Sequence, residues 1–376
     1  MISPVLVFLL GLNLRPAVTS LGAALPDIGV PSWVGAVLVA LPLWALGIGG
    51  LFSRLRVRAA LCVLVVALLA RVVGGPVLLV VGTALACLAI ACVGTALPVL
   101  VRGSRIRTAS YTLALGCGST AGALVTPWMP WHLGLSSWTL LAVVALVFWR
   151  TRHQPSVRRV RPVRHDRTAW ALTVYFGLVS TVTFLVMGWL PDILRSAGLS
   201  TGAAGACLAL CMAMGLPMMW LVPLWAHRKQ TLAVVIGPNL VGVLGLLVAP
   251  ATLPWLWSAL LGVGMGGLAL ALTCIPMRAG NDPEVTGALS AMVQGGGYLI
   301  AGVGALACGL VHGLTHDWRA SLAMMLVILC GQIWTGLRAV RPRVIEPRPS
   351  ARLQPDHPRN EAHLVHVPNV RLHKPG

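Results

Sequence analysis

Acidic residues are scarce in this sequence: nine Asp and Glu stand against 28 Lys and Arg in 376 residues. Charged residues make up only 10% of the chain, whereas a soluble globular domain has roughly 25%. This composition excludes an ordinary soluble domain. No acid lies at the centre of an apolar run, so a proton relay through a buried carboxylate has no evident carrier. The acids are Asp27, Asp166, Asp192, Asp282, Glu284, Asp317, Glu346, Asp356 and Glu361.

Catalytic and metal-binding motifs are also missing from the apolar runs. These runs contain no HExxH, no GxSxG and no acid paired with a nucleophile, so we do not expect an enzyme. The nine cysteines form no CxxC pair and no zinc-type spacing with histidine, so they are predicted to be small packing residues. We therefore expect no metal and no cofactor.

Hydrophobic residues dominate what is present, at 57% of the chain. Apolar runs of the length that crosses a bilayer as a helix follow one another from residue 3 to about 338. We predict an all-α membrane protein whose first run is a span and not a cleaved signal peptide. The twelve predicted spans, of which the third and sixth are the weakest, are 3–26, 32–53, 57–73, 76–101, 105–128, 133–150, 169–194, 201–226, 231–250, 253–277, 285–313 and 318–338.

Basic residues cluster in alternate loops between the predicted spans. Because cytoplasmic loops retain Lys and Arg, this alternation favours twelve spans with both termini in the cytoplasm. We therefore expect a multi-pass protein of the inner (plasma) membrane. The basic residues outside this pattern are Arg15, Arg71, Arg195 and Arg319.

The net charge of +19 raises the alternative of a nucleic-acid partner. We expect none, because the charge lies beside membrane spans, where it directs topology and attracts anionic lipid heads. The partners we expect are the lipid bilayer and a small-molecule solute, with the protein itself a monomer. Residues 341–376 are rich in Pro, Arg and His and are predicted to form a disordered cytoplasmic tail.

An internal repeat divides the spans into two halves. LPDI occurs at 25–28 and again at 190–193, and LPL at 41–43 is echoed by LPM at 216–218. A third match, at an offset of 180, links Ser110, Gly116 and Gly122 to Ser290, Gly296 and Gly302. Parallel halves are typical of transporters that hold their substrate between them near mid-membrane. We therefore predict a six-helix bundle over 1–150, a basic linker over 151–168 and a second six-helix bundle over 169–340.

Three stretches resemble the cyanate-transporter family of the major facilitator superfamily, whose relatives include 2-nitroimidazole exporters. They are LNLRPAVTSLGAALPDI in the first span, GWLPDILRSAGLS after the seventh and GALSAMVQGGGYLIAGVGALACGLVH in the eleventh. The resemblance implies the major facilitator fold, alternating access and a small, often anionic or nitrogen-containing solute. The chain departs from the family where Gly94 replaces a usual Asn, and in the seventh span at Val179 and Phe184, which removes polar groups from the expected cavity.

Arg15 is the principal candidate for binding the solute. It lies near the middle of the first span, where an arginine costs about 2.5–3.5 kcal/mol on insertion scales. Its side chain must therefore face a polar cavity or an acceptor, and its planar fork suits planar anions. The alternative is that Arg15 bonds helix carbonyls and only holds the bundle together.

Other residues are weaker candidates for the cavity wall or the gates. Gln294 and Tyr298 lie one turn apart on the eleventh span, where they either line the pathway or form interhelical hydrogen bonds. Arg71 either binds solute or extends to the outer surface. The remaining candidates are Trp44, Tyr111 and Tyr175 for the wall and Asp27, Asp192 and His312 for gating or coupling.

We predict a secondary active transporter that moves a small polar or anionic solute by alternating access. Two alternatives remain: a binding or sensory membrane protein without flux, and a multidrug-type exporter of small organic compounds. Accumulation of solute in vesicles separates the first alternative from a transporter.

Overall fold

A computed structural model describes residues 3–49, 57–101, 105–149, 166–228, 230–280 and 283–341. Most of the predicted basic linker and almost all of the predicted tail lie outside these ranges. Within them the secondary structure is helical, without β-strands. The helices are α1 (Pro4–Leu12), α2 (Pro16–Ile28), α3 (Ser32–Gly49), α4 (Val57–Val73), α5 (Pro76–Val101), α6 (Arg105–Val125), α7 (Trp131–Ser136), α8 (Trp138–Phe148), α9 (Arg167–Ser196), α10 (Thr201–Trp225), α11 (Gln230–Val248), α12 (Pro254–Gly264), α13 (Gly266–Arg278), α14 (Pro283–Thr315) and α15 (Trp318–Ala339).

Each of the twelve predicted spans coincides with one helix or with two consecutive helices. Ten segments of the described chain are long and apolar enough to cross a membrane. The other two predicted spans are α4, which has 17 residues, and α6, whose glycine, serine and threonine residues lower its hydropathy. The sixth span, predicted to be weak, is among the ten, and the fifth is not.

Proline breaks the first span into two helices. Pro16 has no backbone N–H to donate to the Leu12 carbonyl, and its ring does not fit against that carbonyl in a continuous helix. The chain therefore leaves the helix after Leu12 and begins a new one at Pro16. The sequence prediction did not include this break, although Pro16 is its signal.

Helices from the two halves meet along a seam. In this seam α2 packs against α9, α3 against α14, and α6 against α10. Suppose that a twofold axis superposes the first six spans on the last six. The contact between α2 and α9 is then equivalent to itself, and the contact between α3 and α14 is equivalent to the contact between α10 and α6. The contacts therefore have the pattern expected of two parallel repeats.

Glycines let the halves approach closely near one end of the bundle. We call this the Ile28 end, because α2 finishes there at Ile28, and the opposite end the Pro4 end. A Cβ on Gly22 would overlap the carbonyl group of Met187, which lies 165 residues later, the same offset as the LPDI copies. Other glycines packed across the seam at the Ile28 end are Gly35, Gly188, Gly202, Gly205, Gly309 and Gly313. The described structure is thus closed at this end.

Candidate functional site

The break in the first span places Arg15 at the start of α2. Its carbonyl accepts hydrogen bonds from the backbone N–H groups of Val18, at 3.0 Å, and Thr19, at 3.1 Å. On the neighbouring helix, Gly118 and Gly122 leave no room for a Cβ beside Leu12 and Pro16, so α6 packs directly against the break. Close packing therefore fixes the depth of Arg15 in the bundle.

Arg15 lines a cavity between the two halves of the protein. The cavity has a volume of about 70 Å³, which is several times the roughly 10–15 Å³ that one water needs on the same measure. It is lined by Leu14, Arg15, Val18, Pro42, Leu46, Cys87, Ile90, Gly94 and Leu115 from the first half and by Phe184 and Tyr298 from the second. The wall is apolar except for a few groups, which is typical of a site for a small molecule.

Two tyrosine hydroxyls lie within electrostatic range of the Arg15 side chain. Tyr111 belongs to α6 and Tyr298 to α14. The Tyr298 ring is held edge-on by Phe176, with ring centroids 5.0 Å apart, and by Phe184 at 6.4 Å. The site therefore combines a cation with two hydroxyls that come from different halves.

The Arg15 guanidinium forms neither a hydrogen bond nor an ion pair with any residue in the described ranges. The only acid in the first two helices is Asp27, which pairs instead with Arg195. Asn13, two residues before Arg15, donates to the carbonyls of Leu9 and Leu141 and so points towards α8. A half-buried arginine without an acceptor can bind an acceptor group that comes from a solute.

Four predicted wall residues lie outside the cavity lining, and one of them, Tyr111, has its ring beside Gly11 of α1. Gln294 donates from Nε2 to the Ser290 hydroxyl at 2.7 Å, one turn back on its own helix. Trp44 packs its indole against Gly302 in the seam. Tyr175 is fully buried within the second half, beside Gly267 and Gly336.

Arg71 does not extend to the surface as the alternative prediction had it. Its side chain is 0% exposed on the inner face of α4, and its stem packs against Gly82 of α5. It lies near Cys87, whose thiol group belongs to the cavity wall. Arg71 is therefore a buried charge behind the cavity wall.

The three gating candidates gather at the Ile28 end. Asp27 accepts a hydrogen bond from Arg195 Nη1 at 2.5 Å, an ion pair that joins α2 to α9 across the seam. Asp192 lies within electrostatic range of Arg195 and His312. The His312 ring stacks on Trp318, with centroids 3.6 Å apart and planes 7° from parallel. Charged and aromatic groups thus accompany the glycine contacts that close this end.

Sequence reasoning omitted nine of the eleven lining residues from the site, among them Cys87, Gly94 and Phe184. Cys87 was interpreted as a packing residue, and it is indeed buried. Gly94 and Phe184 were singled out only as departures from a family pattern, although that signal was enough to assign both to the cavity.

Comparison with known proteins gives concordant results. A family model described as Major Facilitator Superfamily matches residues 102–305. The cyanate transport protein CynX of Escherichia coli is 29% identical, with 88% of this chain and 95% of that protein covered. The 2-nitroimidazole transporter of Escherichia coli is 31% identical, with 63% of this chain and 65% of that protein covered.

Solved structures show the same fold. A crystal structure of a D-xylose-proton symporter superposes with a TM-score of 0.69 at 14% identity, covering 91% of this chain and 97% of that one. Sequence and fold agree on a multi-pass membrane protein that carries a small solute by secondary transport and is not an enzyme. This chain belongs to the Major Facilitator Superfamily.

Proposed function

We propose that this transporter binds a small anionic or polar solute against Arg15, in the cavity between its halves. The observation that carries the proposal is the Arg15 guanidinium, which lines the cavity without an acceptor among the described residues. A guanidinium binds planar acceptors through two parallel hydrogen bonds. The N-terminus of α2 adds a partial positive charge at the same place.

Tyr111 and Tyr298 complete the proposed site. Each hydroxyl can donate a hydrogen bond to a solute or accept one from it. Because Tyr111 belongs to the first half and Tyr298 to the second, a solute bound at Arg15 would contact both halves. Such contacts favour closure around the solute, as alternating access requires.

The proposed orientation places the closed Ile28 end on the outer side of the membrane. If the basic loops are cytoplasmic, the Pro4 end faces the cytoplasm and the closed Ile28 end faces outward. The division into bundles at 1–150 and 169–340, the cytoplasmic termini, the location in the plasma membrane and the attraction of anionic lipid heads to the basic loops remain predictions that accompany this proposal.

The class of solute is proposed from the site and not from any single relative. Relatives named for cyanate and for 2-nitroimidazole transport support a small solute that is planar or rich in acceptors. Gly94 and Phe184, where the chain departs from the cyanate-transporter pattern, both line the cavity. We therefore propose cyanate-like and nitroimidazole-like compounds as a class, without preferring cyanate.

A flux assay tests the proposed function. Purified protein in proteoliposomes is supplied in turn with radiolabelled cyanate, 4-hydroxybenzoate and 2-nitroimidazole. We expect at least one of them to cross faster than in protein-free liposomes and to be displaced by excess unlabelled compound. Binding without flux would instead indicate a sensory protein, and flux of unrelated small organic compounds in the same assay would indicate multidrug-type export.

The ion pair between Asp27 and Arg195 is predicted to be a weak latch on the Ile28 end. Its side chains are 36% and 27% exposed, and an exposed pair contributes about 0.2–1 kcal/mol. Asp27→Asn should therefore change the transport rate less than about fivefold, and the change should shrink at high salt. Flux measured at two ionic strengths checks this.

Exchange of the two charges is the control for the latch. Asp27→Arg combined with Arg195→Asp should restore the rate that either single change alters. A loss as large as that expected for a solute-binding residue would contradict a weak latch.

A further inference from the structure

We propose that Arg71 is a second anion-binding position, on the Ile28 side of the Arg15 cavity, and that the transported solute therefore carries a negative charge. This inference rests on the proposed function, because it adds a position behind the wall of the same cavity. It goes further by excluding neutral solutes and by assigning a second residue to the path.

Arg71 lies on the buried face of α4. The buried residues of this helix recur at spacings of three and four, the period of one helical face: Val57, Ala60, Leu61, Leu64, Ala67, Leu68 and Arg71. On the opposite face Val73 is 80% exposed and Leu69 is 45% exposed. The packing that buries Leu61, Leu64 and Leu68 therefore buries Arg71 as well, close to the end of the helix.

The buried guanidinium has no acceptor. None of its three nitrogens forms a hydrogen bond in the described part of the chain. The hydroxyl of Thr83, on α5, is buried and unpaired in the same way. An isolated buried charge is strongly unfavourable, and so is an unpaired buried hydroxyl. Both groups can donate hydrogen bonds to an acceptor.

No carboxylate among the described residues fills this role, because none of them forms a hydrogen bond with Arg71. Water could satisfy hydrogen bonds, but it would leave the positive charge uncompensated in a medium of low dielectric constant. A small anion satisfies the hydrogen bonds and also offsets the charge. The chemistry of the site therefore selects an anion such as a small carboxylate or a planar inorganic ion.

One face of α5 connects this site to the Arg15 cavity. Cys87, Ile90 and Gly94 line the cavity, and Thr83 lies one turn beyond Cys87 on the same face. Arg71 reaches α5 at Gly82, where a Cβ would come within 2.9 Å of the Arg71 Cγ atom. Cys87 thus lies between the cavity and Arg71, and its thiol interacts electrostatically with that charge.

The thiol of Cys87 provides a native reporter for this arrangement. Purified full-length protein is treated with either of two methanethiosulfonates, the anionic sulfonatoethyl or the cationic trimethylammonioethyl reagent. Mass spectrometry of the peptide that contains Cys87 gives the rate at which each reagent modifies this thiol. Each rate is then divided by the rate at which the same reagent modifies a free thiol in solution. Two nearby positive charges should favour the anionic reagent by about tenfold.

Substitution of Arg71 tests how much this residue contributes to the preference of Cys87 for the anionic reagent. Arg71→Gln should reduce the ratio of anionic to cationic rates severalfold, whereas Arg71→Lys, which keeps the charge, should retain most of it. Arg319→Gln, which removes an exposed arginine at the Ile28 end, is the matched control and should leave the ratio unchanged.

Three outcomes would overturn the proposal. They are an unchanged ratio in Arg71→Gln, an equal reaction of wild-type Cys87 with both reagents, and failure of both reagents to reach Cys87. The last two need no variant, so the test stands even if Arg71→Gln does not fold.

The labelling experiment and the flux assay together separate this inference from the proposed function. If solute flux depends on Arg15 but the labelling ratio of Arg71→Gln equals that of the wild-type protein, the proposed function holds and the second anion position is wrong. If no anion in the flux panel is carried but 2-nitroimidazole is, transport holds and the anionic solute is wrong. If the wild-type protein carries none of the compounds in the panel, the proposed function itself is wrong.

Discussion

Arg15→Ala should lower the transport rate at least about a hundredfold, since two charge-assisted hydrogen bonds to a solute are together worth about 3 kcal/mol or more. The variant should still reach the membrane, because removing an arginine from the middle of a span makes insertion easier. Initial rates in proteoliposomes, together with the amount of folded protein recovered from membranes, measure the two effects separately.

Two further variants define what the solute requires of Arg15. Arg15→Lys keeps the charge but loses the planar fork, so an intermediate loss of about tenfold is expected. Arg319→Ala removes an exposed arginine and should transport at the wild-type rate. Transport by Arg15→Ala at the wild-type rate would remove Arg15 from the proposed site and leave it a structural role at the break in the first span.

Gly22→Ala should lower the transport rate about tenfold or more, for a different reason. The new methyl group would overlap the Met187 carbonyl across the seam, so α2 and α9 could not close at the Ile28 end as they do here. Overpacking of a tight contact costs about 1–3 kcal/mol, which shifts the balance between the two access states by about five- to a hundredfold. Flux measures the loss, and thiol accessibility of residues placed at the Ile28 end measures the shift.

A matched control is available on α14. A Cβ built on Gly295 would meet only the Gly47 carbonyl oxygen, at 3.8 Å, which is an ordinary contact, so Gly295→Ala should be close to neutral. Solute binding should also survive in Gly22→Ala, since Gly22 is not part of the cavity lining. Normal flux in Gly22→Ala would mean that closure at this contact is not needed for transport.

The membrane fold could be predicted from local properties of the chain. A helix needs about twenty apolar residues to cross a bilayer. The positions of Lys and Arg then favour one number of spans over models with one span more or fewer. The two breaks that mattered most were harder to predict. The interruption before Pro16 changes the backbone at Arg15, and the pair of helices on either side of Met265 replaces one predicted span.

The candidate site could be predicted only in part. Arg15 stood out because a charge at that depth needs an acceptor. Gln294 and Tyr298 could not be ranked, because they share one face of α14 and differ by one turn. In the structure Tyr298 lines the cavity, while Gln294 bonds Ser290. The sequence likewise could not say whether Arg71 faces lipid or the bundle, because α4 is apolar all round.

The sequence by itself determined that this protein is embedded in a membrane, where its long apolar segments lie and that Arg15 interrupts one of them, because each depends on runs of neighbouring residues. Only the tertiary structure decided which groups meet. Arg15 joins Tyr111 and Tyr298, and Arg71 approaches Cys87, because each helix has a particular rotation about its axis. That rotation is fixed by the close packing of glycines against distant helices, which no local pattern in the chain records.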